Sequence, residues 1–132
     1  MGTVNVVALV LGILTDDGLN AYSRLPQGAL RPIMTVEEAG GPQQVSHSPN
    51  RLTRQDLQLD VWGTTKTDAF DLVVGARDLL LAAPRTQPVR DQGVLVRVSA
   101  GQPTWLADPD WPDDAGRPGP RYLLIVQATA HE

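Results

Sequence analysis

From residue 4 to residue 14 nearly every position is apolar, broken only by Asn5 and Gly12. Period alone does not separate a buried helix from a buried strand here, but the length of the run predicts a helix, ended by Thr15-Asp16-Asp17-Gly18. Residues 19–31 carry the breakers Pro26 and Gly28 and read as a loop. Over 32–39, Ile33, Thr35 and Glu37 alternate with Met34 and Val36, the period of a strand, and Gly40-Gly41-Pro42 stops it. Residues 42–55 show no period and read as a long loop. A second strand follows over 57–62, with Leu57, Leu59 and Val61 on one face and Gln58, Asp60 and Trp62 on the other, ending at Gly63.

Thr65 with Asp68 three residues on resembles a capping box in which Asp replaces the usual Glu. It opens a helix over 66–83 whose apolar stripe is Ala69, Phe70, Val73, Val74, Ala76, Leu80 and Leu81. A third strand is expected over 94–100, with Val94, Val96 and Val98 inward and Leu95, Arg97 and Ser99 outward. The fourth, over 121–131, is apolar on both faces from 123 to 126, the mark of a central strand covered on both sides. Residues 101–120, rich in Pro, Gly and Asp, read as a long projecting connection. The order predicts one α+β domain over 1–132, with a mostly antiparallel four-stranded sheet, helices packed on it and two long projecting loops.

A length of 132 residues suits a single core. A net charge of -4 excludes nucleic-acid binding by bulk positive charge. With no cysteine, disulfides and thiolate chemistry drop out together. The apolar start lacks Lys or Arg before Arg24 and is too short to span a bilayer, so a soluble protein without membrane contact is expected.

Candidate chemistry is sparse. His47 and His131 are the two histidines, far apart and without nucleophile or acid signatures around them, and no Gly pattern of a nucleotide cradle is present. No catalytic residue and no cofactor is expected. Asp108, Asp110, Asp113 and Asp114 could ligate calcium, but their spacing departs from a known calcium loop and Pro109 and Pro112 restrict the backbone; a solvated acidic turn is the plainer reading, and no metal is expected.

Trp105 and Trp111 lie in the same Pro-rich stretch, two of three tryptophans among only six aromatic residues. They either meet a partner or cover the base of their own loop. The other loop carries Arg51, Arg54 and His47 without an acid, so the two loops have opposite signs. That makes Trp105, Trp111, the four Asp, Arg51 and Arg54 the candidate subunit-interface residues, with Trp supplying affinity and charge setting register.

The run LQLDVWGTTKTDAFDLVVGARDLLLAA, preceded by IMTVEEAGGP and followed by VLVRVSAGQPTWLADPDWPDDAGRPGPRYLLIVQATAH, resembles the tail terminator proteins of long-tailed phages, especially those infecting actinobacteria. The resemblance covers the chain from about Ile33 onward and rests on the order of its features: a strand ending in DVWG, a helix entered through TT, the W-x-x-D-P-D turn and a last strand after RY. It implies a small α+β subunit that forms a homohexameric ring on the tail tube, ends tube polymerisation and presents a surface to head-closure or neck proteins. The major tail tube protein would then be a partner, and DNA would pass through the lumen without sequence-specific binding. It also implies a place in the virion, at the head-proximal end of the tail. A head-closure or neck adaptor ring is the alternative.

Overall fold

The computed structural model of the chain describes residues 4–44, 52–87 and 89–132. Helix α1 (Val6–Asp16) starts at Asn5, whose side-chain oxygen accepts from the Ala8 N–H at 3.1 Å. It buries Val6, Leu9, Val10, Ile13 and Leu14, the i, i+3, i+4, i+7 stripe of a helix with one face in a core. Seven strands follow around a second helix: β1 (Ala21–Tyr22), β2 (Ile33–Glu38), β3 (Gln43–Gln44), β4 (Leu52–Trp62), α2 (Lys66–Thr86), β5 (Val94–Ala100), β6 (Thr104–Trp105) and β7 (Arg121–His131).

The spine of the sheet is the antiparallel pair β4 and β7, eleven residues each, in register from Leu52 opposite His131 to Trp62 opposite Arg121. β2 pairs with the other side of β4 and β5 with the other side of β7, both antiparallel, giving the order β1-β2-β4-β7-β5. The expected four strands are therefore the middle of a seven-stranded sheet. β1 adds a parallel pair at one edge, which makes the sheet mixed; β3 and β6 add short antiparallel pairs to β4 and β7.

Both helices pack on one face, and a single core joins Leu9, Ile13 and Leu14 of α1 to Leu57, Leu59 and Val61 of β4, Val73 and Leu80 of α2, and Leu124 and Val126 of β7. Burying each such side chain stabilises the fold by about 1.5–3 kcal/mol. α2 is entered through Thr65, whose hydroxyl accepts from the Asp68 N–H at 3.0 Å, while the Asp68 carboxylate accepts from the Thr64 N–H at 2.9 Å. The reciprocal bond thus forms one residue before the cap rather than on it. Gly63 makes this entry possible: a Cβ there would collide with the backbone of Ala69.

Several expectations change. β4 begins at Leu52 rather than Leu57, so Arg54 and Gln55 are strand residues and not loop. Thr53 and Gln55 are buried although polar, which hid the strand from a hydrophobic count. In β5 the register shifts between Leu95 and Arg97, a bulge at Val96, so Leu95 faces the core and Val96 is exposed. β7 is central, but only its even-numbered residues are buried along its length, and Ile125 is 44% exposed. Phe70, expected in the core stripe, is also 44% exposed.

The connection over 101–120 does not project freely. It pairs through β6 onto Tyr122 and Leu123, then closes on itself where Asp108 and Gly119 exchange backbone bonds of 2.9 and 2.8 Å. Gly119 is needed there because a Cβ would run into the Trp111 carbonyl. The segment is pinned to the face opposite the helices by Trp62, whose indole N–H donates to Asp108 Oδ2 at 2.9 Å. Asp108 Oδ1 accepts from the Asp110 N–H at 2.9 Å, and Arg121 lies 3.8 Å from the carboxylate. Trp111 packs on Trp62 with ring centroids 5.8 Å apart, and the Arg31 guanidinium covers its other side at 4.2 Å while donating to the Trp111 and Pro112 carbonyls.

Two outcomes follow from this anchor. Asp108→Ala leaves the buried Trp62 N–H without an acceptor and is expected to cost about 1–3 kcal/mol in urea unfolding, whereas Asp108→Asn, which keeps an acceptor oxygen, should cost clearly less. Equal losses would contradict the bond. The second concerns Asp60, on the same sheet face. Burial pushes its carboxyl above the ordinary 3.8, against the opposing pull of Arg121 and the bond from Gln58, with Glu37 and Asp108 adding repulsion. The folded chain therefore holds this proton more tightly than the unfolded chain. Ionised Asp60 costs stability at neutral pH, and that cost is relieved as the pH falls through the raised value toward 3.8. Asp60→Asn should be more stable than wild type at pH 7, with the gap closing on acidification; a gap that widens instead would reverse the sign.

Candidate interaction site

The carboxylates expected to act together are used separately. Asp108 is buried against Trp62. Asp113 closes a tight turn, accepting from the Ala115 and Arg117 backbone N–H groups at 2.9 Å each, with the Arg117 guanidinium 3.3 Å away. The Arg117 N–H is the main reason its carboxyl is held below the ordinary range. Asp110 and Asp114 are exposed, and among the described residues their carboxylates have no hydrogen-bond or ion-pair partner. Within the described residues no group of three acidic or histidine side chains is placed to hold a metal ion.

Arg51 and His47 lie outside the described residues. Arg54 stands in β4 opposite Thr129, eight residues from Trp62. At about 3.3 Å per residue that separates it from the acidic connection by about 26 Å within one subunit. Trp111 packs on Trp62 and Arg31 and covers the base of its own loop, one of the two readings left open for it. Trp105 does not: it is 39% exposed on β6.

Trp105 belongs to a surface that the sequence did not reveal. Its ring packs edge-on with Tyr122 at 5.2 Å, and Tyr122 meets Phe70 at 5.5 Å, so three rings join the N-terminal part of α2 through β7 to β6. Tyr122 is buried between the other two, while Phe70, Trp105 and Leu106 remain open to solvent. Lys66, the chain's one lysine, holds its ammonium 4.7 Å above the Trp105 ring and makes no ion pair among the described residues. Beside it opens a cleft of about 400 Å³, walled by Thr64, Thr65, Lys66, Trp105, Pro118 and Pro120, with the paired Asp113 and Arg117 also on its lining.

Such a surface suits an apolar side chain, with a cation at its rim for a carboxylate. Aromatic residues fixed beside prolines contribute contact area with little ordering cost, which is the usual make-up of an interface anchor. Phe70 was misplaced because it flanks the Ala69-Val73-Ala76-Leu80 row by a single position, and helical period does not resolve a difference of one residue at the margin of a stripe. No helix among the described residues is long and apolar enough to cross a membrane.

No protein-family model and no curated protein matches the chain. Among solved structures it is similar to a chain of one described as "Virion of native gene transfer agent (GTA) particle", with a TM-score of 0.60 and 16% identity over 96% of this chain and 92% of that one. At that identity the two share a fold, and they share it over nearly their whole lengths.

Proposed function

We propose that the chain is a structural virion protein, a tail terminator that assembles as a homohexameric ring on the end of the tail tube. In that role it ends tube polymerisation by covering the last tube ring and gives the head-closure or neck protein a surface to join. The observation that carries this reading is the fold shared end to end with a virion chain. The order of features from DVWG to RY points to the same kind of protein.

The geometry supports the reading in two further ways. Several of the described carboxylates serve as caps, turn closures and anchors, roles that hold surfaces in place. The net charge of -4 suits a channel that DNA traverses, since a basic lining would hold the phosphates. Within the ring, Trp105 is the better interface anchor of the two candidate tryptophans, with Asp110 and Asp114 as free carboxylates on the same connection. Trp111, held between Arg31 and Trp62, is part of the subunit itself.

Imaging of intact particles should find six copies at the head-proximal end of the tail; three, five or twelve copies there would overturn the hexamer. Loss of the gene separates terminator from neck adaptor, because an uncapped tube keeps growing. Overlong tubes are expected for a terminator, and tails of normal length that fail to join heads for an adaptor. Trp105→Ala should leave the melting temperature nearly unchanged and lower incorporation into tails, whereas Trp111→Ala should destabilise the monomer by about 2–4 kcal/mol. Normal incorporation of the Trp105 variant would remove that residue from the interface.

A further inference from the structure

The aromatic cleft has a counterpart at the other end of α2. Three residues beyond the helix, Val89 is 71% exposed, one of the most exposed large apolar side chains among the described residues. The turn that carries it is stiffened: Arg90 pairs with Asp16 at the end of α1 and donates to Gln87 at 3.0 Å, and Arg90 and Gly93 exchange backbone bonds of 2.9 Å. Around it lie Asp17 and Asp91, both exposed and without an ion-pair partner among the described residues. One end of α2 therefore carries an aromatic cleft with two cations, Lys66 and Arg117, against one carboxylate, Asp113. The other presents an exposed apolar side chain beside two carboxylates that have no ion-pair partner among the described residues.

Resting on the ring reading above, we propose that neighbouring copies join head to tail along α2. The Val89 turn of one subunit enters the Trp105 cleft of the next, and Asp17 and Asp91 face Lys66. The two surfaces cannot meet within one subunit, because the 21 residues of α2 hold them about 30 Å apart. They are different patches, so their union is heterologous and repeats until it closes or runs on as a filament. Six copies stepping about 30 Å each lie on a circle of about 30 Å radius, since the side of a regular hexagon equals its radius. A compact domain of this length has a radius of gyration of about 14 Å, which leaves the centre of that circle open.

The charges set which ends pair. Like ends would bring Lys66 to Lys66 or Asp91 to Asp91, so a two-fold dimer through either patch is disfavoured and the directional contact remains. Val89 supplies the apolar insertion, and Phe70 and Leu106 extend the contact around it.

The test uses the full chain with single substitutions at exposed positions, each checked for an unchanged melting temperature. Val89→Arg and Lys66→Glu should each weaken self-association at least tenfold by sedimentation and exclude the protein from rings in assembled particles. Asp91→Lys combined with Lys66→Glu should restore association to within a few fold of wild type. Mixing Val89→Arg, which keeps an intact cleft, with Lys66→Glu, which keeps an intact turn, should give dimers and nothing larger, because only one productive contact is left per pair. Wild-type rings accompanied by normal rings from both variants would overturn this interface while leaving the ring reading in place. Wild-type protein that is monomeric both free and in particles would overturn both.

Discussion

The buried hydrogen bond from Trp62 to Asp108 governs the side of the sheet that carries no helix. An indole N–H closed off from water needs an acceptor, and β4 delivers Trp62 to that face because the side chains of a strand alternate. Asp108 meets the need only if residues 101–120 fold back over the sheet, and the Asp108–Gly119 bridge closes that path. The same connection lays β6 beside β7, where Trp105 is turned onto Tyr122 on the helix side, and brings Pro118 and Pro120 to a wall of the cleft. Five of the eleven prolines fall in this stretch, so the unfolded chain has less freedom to lose there.

Legibility in the sequence followed the strength of the periodic signal. α2 and its Thr65 cap were readable because a seven-position stripe and a hydroxyl-acid pair agree, and the helix runs only three residues past the expected end, through Pro84. The central strands were readable for the same reason, and the four expected strands do form the middle of the sheet. What escaped lacked a local signal. β1, β3 and β6 are two residues each and exist only because a longer strand offers free backbone groups beside them. The start of β4 buries Thr53 and Gln55, whose polarity argues for loop, and Gln55 is accepted there because it donates to the Gly40 and Asp56 carbonyls. The bulge at Val96 reverses the phase of β5 without leaving any trace in composition.

The candidate site was half legible. Three tryptophans in a chain poor in aromatics signalled that residues 101–120 matter, yet sequence could not divide their labour. The division comes from what surrounds each ring: Trp111 meets Trp62 and Arg31, groups 49 and 80 positions earlier, whereas Trp105 meets Tyr122 and Lys66 and stays 39% exposed. The Asp cluster dissolved for a similar reason. Nearness in sequence suggested shared function, but two of the four carboxylates took nearby unpaired donors, the Trp62 indole for Asp108 and backbone N–H groups for Asp113, while Asp110 and Asp114 face solvent. Satisfying local donors is worth about 1 kcal/mol or more per bond, and it also keeps like charges apart.

The proposed assembly would need contact surfaces whose position relative to the core does not drift, and α2 would provide that. Gly63 allows its first turn to dock against the end of β4, Thr65 and Asp68 fix where the turn begins, and the ion pair between Arg90 and Asp16 ties the far end to α1. The exposed groups at both ends are thereby held before any partner arrives, which lowers the ordering cost of contact. In the ring proposed above each subunit would make two such contacts and the last to form would be intramolecular, so a modest single contact would be enough. By that arithmetic the proposed ring would need only the few exposed aromatic and apolar side chains at each end of one helix, without an extensive hydrophobic interface.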